Sequence, residues 1–140
     1  MAVPASELAD LTALLRAAQV SHHFAHWAVT GPSFVGDHDL FKEAYESLEV
    51  YDKLAEFTVL DHGVKPLGMC AQLKSMLECC EEWESEKNLF KRAVAVEKSI
   101  QTVIAKMLPE AKDDAGLDNF LRGVAEQRKS FQFKFNARAE

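Results

Sequence analysis

Glycine and proline interrupt this chain at few places, and between those places apolar residues recur every three or four positions. That spacing is the mark of amphipathic helices, so the expected fold class is all-α. Leu8, Leu11, Leu15, Ala18 and His22 share one face of a first helix, with Ser6 placed to cap its start and an end near Val29. Thr30-Gly31-Pro32-Ser33 breaks the pattern, because glycine accepts unusual dihedrals and proline cannot donate to a continuing ladder. A second helix is expected to begin between Ser33 and Asp37, run to Asp61, and close at Gly63 and Pro66.

Met69, Leu73, Met76, Leu77 and Cys80 then mark a short amphipathic helix over Leu67 to Cys80. A third long helix is expected from about Glu81 to Leu108, with Glu81, Glu82, Glu84 and Glu86 in its first turns, where the helix dipole favours negative charge. Pro109 is expected to end it, and Ala111 to Gly116 to form a turn. The last helix, Leu117 to Arg138, would bury Phe120, Leu121, Val124, Phe131 and Phe135. Four long helices, with a short one in the long connection between the second and third, make a four-helix bundle in which two successive helices run parallel. The 140 residues form one domain over residues 1–140, long enough for a sizeable core and too short for two.

Composition narrows the function. No run approaches the ~20 apolar residues that cross a bilayer, and no charged-then-apolar signal opens the chain, so a soluble, cytoplasmic protein with no membrane partner is expected. Cys70, Cys79 and Cys80 are odd in number and two are adjacent, which fits reduced thiols in a helix interface rather than a disulfide framework or a zinc site. A formal charge of −6 argues against holding nucleic acid by broad electrostatics. Met1 to Ala9 contains no basic residue; Arg122, Arg128, Lys129, Lys134 and Arg138 near the other end are interleaved with Asp118, Glu126 and Glu140, and read as a solvated helix face.

The chemistry-bearing residues are concentrated around the first break. His26-Trp27 is followed by Gly31, Phe34 and His38, and the second helix goes on to Asp52-Lys53-Leu54-Ala55-Glu56. Asp52 and Glu56 are four apart and so share a helix face, a pattern that is common on solvated helices and gains meaning only from what precedes it. Imidazole and carboxylate together suit Fe(II), and carboxylate oxygens suit the Fe(III) that oxidation produces.

The order HWxxxGxxFxxxH, then DxxAE, resembles the miniferritins of the Dps family over nearly the whole chain. The resemblance implies a ferritin-like four-helix bundle whose short extra helix packs at a two-fold interface. It also implies assembly with copies of itself into a hollow dodecamer, which oxidises iron (Fe2+ to Fe3+) with hydrogen peroxide or oxygen and stores the mineral. Carried over, His26 and His38 are metal ligands from one subunit, and Asp52 and Glu56 come from its two-fold mate. Trp27 matches the tryptophan beside the iron site, His22 and Glu43 are auxiliary candidates, and Asp113, Asp114 and Asp118 lie where acids line a three-fold pore. As plain structure, Asp113 and Asp114 are turn and capping residues. DNA binding through a basic tail is not expected, because the family's lysine-rich N-terminal tail has no counterpart here.

Two departures bear on the site. Lys42 stands where the family has a carboxylate four residues after His38, and its ammonium would compete with a metal for Asp52 and Glu56. One residue is also missing between Leu48 and Asp52 relative to the family spacing. Either the helix winds differently there and the pair still faces the interface, or the site is degraded, leaving a ferritin-like shell or interaction protein without ferroxidase activity.

Overall fold

The computed structural model describes residues 2–63 and 67–139. Its elements are α1 (Ala5–Ala28), α2 (Phe34–Ser47), a 3-10 turn (Leu48–Val50), α3 (Tyr51–His62), α4 (Met69–Glu84), α5 (Leu89–Ala111) and α6 (Ala115–Arg138). Together α2, the 3-10 turn and α3 are the second long helix of the sequence pattern. The bundle is therefore α1, α2/α3, α5 and α6, and α4 lies in the long connection, packed on α1. No helix is long and apolar enough to cross a membrane among the described residues.

Contacts at the two ends of the bundle fix its topology. At one end, the start of α2 is tied to the end of α6 through Asp37 and Arg138, and Phe41 of α2 lies 5.5 Å from Phe90 at the start of α5. At the other end, His62 of α3 bonds the Val3 carbonyl, and Asp61, Glu110, Asp114 and Leu117 line one cleft. So α2/α3 and α5 run in the same direction, and α1 and α6 run against them. That is the parallel pair which a long connection permits.

The apolar residues read from the sequence form the core. Leu8, Leu11, Leu15 and Ala18 of α1 are buried with Leu48, Leu54, Ile100, Ile104, Leu117, Leu121 and Val124. A second cluster gathers Ala25, Val29, Phe41, Phe131 and Phe135 at the end where α1 turns into α2. Phe120, expected in the core, is only half-buried and packs on Phe57.

Between these clusters lies a polar layer with one side chain from each long helix. His22 Nε2 is 2.7 Å from Glu97 Oε1, Arg128 Nε is 3.3 Å from Glu97 Oε2, and an Arg128 amino group donates to the Ser47 hydroxyl. Arg128 and Glu97 are fully buried, which corrects the reading of Arg128 as part of a solvated face. Its stem and guanidinium are covered by apolar neighbours, with the Phe131 ring 4.9 Å away. Removal from water weakens the charged form of Arg128, and the Glu97 carboxylate opposes that effect.

Several boundaries also differ from expectation. The short helix extends to Glu84, so Glu81, Glu82 and Glu84 occupy its last turns, where the dipole gives negative charge no support. The third long helix starts at Leu89 because Asn88 Oδ1 accepts from the Phe90 and Lys91 amides, each at 3.0 Å. Glu86 precedes that cap and accepts from the Asn88 amide at 3.1 Å. Pro109 lies inside α5, which continues to Ala111: proline forfeits one ladder bond, but burial of Met107 and Ala111 holds the final turn. Pro4, not Ser6, precedes α1. Gly63 ends α3 in the left-handed region at φ 65°, whereas Pro66 lies outside the described residues.

Arg128→Met should destabilise the bundle by about 3–5 kcal/mol, since it strands a buried carboxylate. Adding Glu97→Gln to that variant should recover part of the loss. Urea unfolding of both variants checks this; equal stability of Arg128→Met and wild type would show that Glu97 does not depend on its guanidinium.

Candidate metal centre

The turn between α1 and α2 brings His26 and His38 face to face. Gly31, at φ 99°, supplies the backbone conformation that reverses the chain. The two imidazole rings stack with centroids 3.5 Å apart and planes 22° apart. His26 Nδ1 donates to the His38 carbonyl at 2.7 Å, and His38 Nδ1 donates to the His26 carbonyl at 2.8 Å. A carbonyl can only accept, so each neutral ring carries its proton on Nδ1 and keeps the Nε2 lone pair free. An imidazole oriented through one nitrogen and available at the other is the form a metal ligand takes.

Aromatic rings surround the pair. Phe34 stacks on His38 at 5.0 Å, and Tyr45 meets His26 edge-on at 5.4 Å. Tyr45 also stacks on His23 at 4.2 Å, and His23 in turn lies 4.1 Å from Trp27. Trp27 itself is 60% exposed, so it is a surface side chain of the subunit rather than a core residue. His23 and Tyr45 were not singled out by the motif; His23, at three residues before His26, was legible as the next turn of the same face.

Asp52 and Glu56 lie together on the exposed face of α3, lining a shallow hollow of about 470 Å³ with Ala55, Val59 and Leu60. The second long helix changes its winding at Leu48–Val50, just before Asp52, where the resemblance implies one residue fewer. Losing one α-helical residue removes about 100° of rotation and about 1.5 Å of rise. Three residues in 3-10 form return about 60° and about 1.5 Å. The rise is fully recovered and the rotation mostly so. Neighbouring side chains satisfy the backbone there: the Gln19 amide donates to the Tyr45 carbonyl at 3.0 Å, and the Ser47 hydroxyl to the Ala44 carbonyl at 2.6 Å.

The remaining candidates fall elsewhere. His22 is buried in the polar layer against Glu97, away from any exposed ligand set. Glu43 is exposed. Lys42 is exposed and sits 3.8 Å from Glu46, its neighbour one turn on. Asp114 caps α6 by accepting from the Leu117 amide at 3.1 Å, Asp118 pairs with Arg122 at 3.0 Å, and Asp113 is exposed. Cys79 and Cys80 are half-buried thiols, and burial holds both above the usual thiol range, whereas Cys70 is exposed. Among the described residues of one chain, no three His, Cys, Asp or Glu side chains converge on a point that could hold a metal. One chain thus brings His26 to His38, and places Asp52 and Glu56 together on a separate face of α3.

The acidic end of the bundle carries a titration consequence. Desolvation and a hydrogen bond shared with Asp114 raise the Asp61 carboxyl above its ordinary value. A raised folded value means the protonated form is favoured by the fold, and that support is lost as pH climbs through it. Asp61→Asn, which mimics the protonated acid, should therefore raise the melting midpoint slightly at about pH 7, with the gain vanishing toward about pH 4. A larger gain at the acidic end would reverse the sign of the Asp61 contribution.

The chain matches the family model of the ferritin-like domain over residues 6–137. No curated protein matches it in sequence. Among solved structures, it is similar to the Dps protein of Vibrio cholerae O1, described there as a member of a broad superfamily of ferritin-like diiron-carboxylate proteins: TM-score 0.79, 18% identity, 97% of this chain and 88% of that one. It is equally similar to Dps from Staphylococcus aureus: TM-score 0.79, 22% identity, 97% and 94% of the two chains. A C-terminal deletion mutant of Mycobacterium smegmatis Dps matches with TM-score 0.79 and 19% identity over 95% of each chain.

Proposed function

We propose that this chain, which belongs to the ferritin-like family and has the fold of the Dps proteins, takes up Fe(II) between two copies of itself, oxidises it and stores the product. The observation that carries the proposal is the reciprocal His26–His38 clasp, which leaves two Nε2 lone pairs oriented and free. Two imidazoles are half of a ligand set for Fe(II). Asp52 and Glu56 of a second copy supply the carboxylate half, the part that holds Fe(III) once an electron has passed to peroxide or oxygen.

The surface of the subunit supports pairing of copies. Val59 and Leu60 lie beside the carboxylates, and Met69, Leu73 and Leu77 line the outer side of α4; all are exposed in the single chain. Exposed apolar side chains on α3 and α4, both packed on α1, are more than an isolated chain would leave in water. Such pairing, repeated about further axes, closes a hollow shell, here of twelve copies, that encloses the stored product.

Lys42 tunes the site. It stands one turn beyond His38 on the same helix, and its ammonium is shared with Glu46 at 3.8 Å with both ends half-exposed. A cation on that face lowers the local affinity for Fe(II), and Glu46 offsets only part of it because exposed pairs are weak. A degraded site in an intact shell is the reading that follows if the ammonium prevails.

An anaerobic Fe(II) titration by calorimetry tests both. Wild type is expected to bind measurably, His26→Ala with His38→Ala to abolish binding while the protein still assembles, and Lys42→Asp to tighten it about tenfold or more. Binding that survives loss of both histidines would reject the site, and equal affinity of Lys42→Asp and wild type would reject the role of Lys42.

A further inference from the structure

The turn that carries His38 is held to the bundle by very little. From Thr30 to Gly36 every residue is exposed, Asp39 is exposed, and His38 and Leu40 are half-buried. The start of α2 has no side-chain cap, so its first amides gain nothing from Ser33. Between Val29 and Phe41 the one buried side chain is Asp37, a carboxylate with 5% exposure.

That carboxylate is gripped from the far end of the sequence. Arg138 donates from Nε to Asp37 Oδ1 and from an amino group to Oδ2, both at 2.8 Å. The two parallel bonds fix the carboxylate plane as well as its position. The guanidinium is itself set by the Phe90 ring, 5.1 Å away, so α2, α5 and α6 meet at this point. The Asp37 amide closes the first turn of α2 on the Ser33 carbonyl at 2.9 Å.

We propose that Asp37 and Arg138 are positioning residues for the iron ligand His38: the last turn of α6 holds the first turn of α2, and through it the imidazole that completes the clasp with His26. The role in metal binding rests on the site proposed above. Without Arg138, Asp37 would be a buried carboxylate without its partner, and the turn would relax to hydrate it. His38 Nδ1 would then leave the His26 carbonyl, and neither proton nor ring plane would be fixed. Ligands that lose an outer partner of this kind typically bind metal about tenfold to hundredfold more weakly.

The test uses the full chain, Arg138→Gln and Arg138→Lys. Arg138 is 43% exposed, so neither substitution empties the core. Hydrogen–deuterium exchange of the metal-free proteins should show faster exchange over residues 33–40 in Arg138→Gln, with the rest of the bundle unchanged. Anaerobic Fe(II) titration should show affinity lower by about ten to a hundredfold in Arg138→Gln and mostly recovered in Arg138→Lys, which keeps the charge and one hydrogen bond. Wild-type exchange in Arg138→Gln, or faster exchange with unchanged affinity, would overturn the proposal. If wild type itself takes up no Fe(II), the proposed function fails, and the exchange result still decides the anchor: faster over residues 33–40 upholds it, unchanged removes it.

Discussion

The constraint on which the rest of the molecule depends is the buried charge of Glu97. A carboxylate with no exposure at the centre of a helical bundle survives only beside an opposite charge and a hydrogen-bonding partner. His22 from α1 and Arg128 from α6 meet it, and Arg128 reaches on to Ser47 at the end of α2. One layer thus sets the axial register of four helices at once, because sliding any of them by a turn would break a charged contact inside the core. The same layer carries the winding change of the second long helix. Ser47, which receives Arg128, is the residue at which α-helix gives way to 3-10.

From that register the placement of the histidine pair and of the carboxylate pair follows. With α1 and α2 fixed in length relative to the polar layer, His26 and His38 arrive opposite each other across a short turn, close enough to exchange hydrogen bonds with each other's backbone. With the 3-10 turn setting the phase of α3, Asp52 and Glu56 lie on an exposed face beside apolar Val59 and Leu60. The bundle interior holds its own cation, the Arg128 guanidinium, whereas His26 is buried at the end of α1 and His38 is half-buried beside it.

Much of this was legible before any coordinates. The helical period placed the core of α1 and α6, and the Gly31-Pro32 break placed the first turn, across which His26 and His38 meet. What was missed has a common physical character. The end of α4 and the start of α5 turn on one side-chain cap, Asn88, inside a run of charged residues that periodicity alone reads as continuous helix. Pro109 reads as a stop because its missing bond is visible in sequence, while the burial of Ala111 that outweighs it is not. Arg128 and Arg138 looked like members of one solvated basic stripe. One is in fact core and the other the anchor of a distant turn, and only tertiary contacts with Glu97 and Asp37 separate them. The change of winding after Ser47 is one of the two outcomes that the spacing implied by the resemblance allows.

The most direct measurement of the central claim is anomalous diffraction from a crystal soaked anaerobically in Fe(II). The result this account requires is an iron peak bonded to the Nε2 atoms of His26 and His38 of one copy and to Asp52 and Glu56 of its two-fold mate. Iron bound elsewhere, or the Lys42 ammonium seated between the imidazoles and the mate's carboxylates with no metal present, would contradict it.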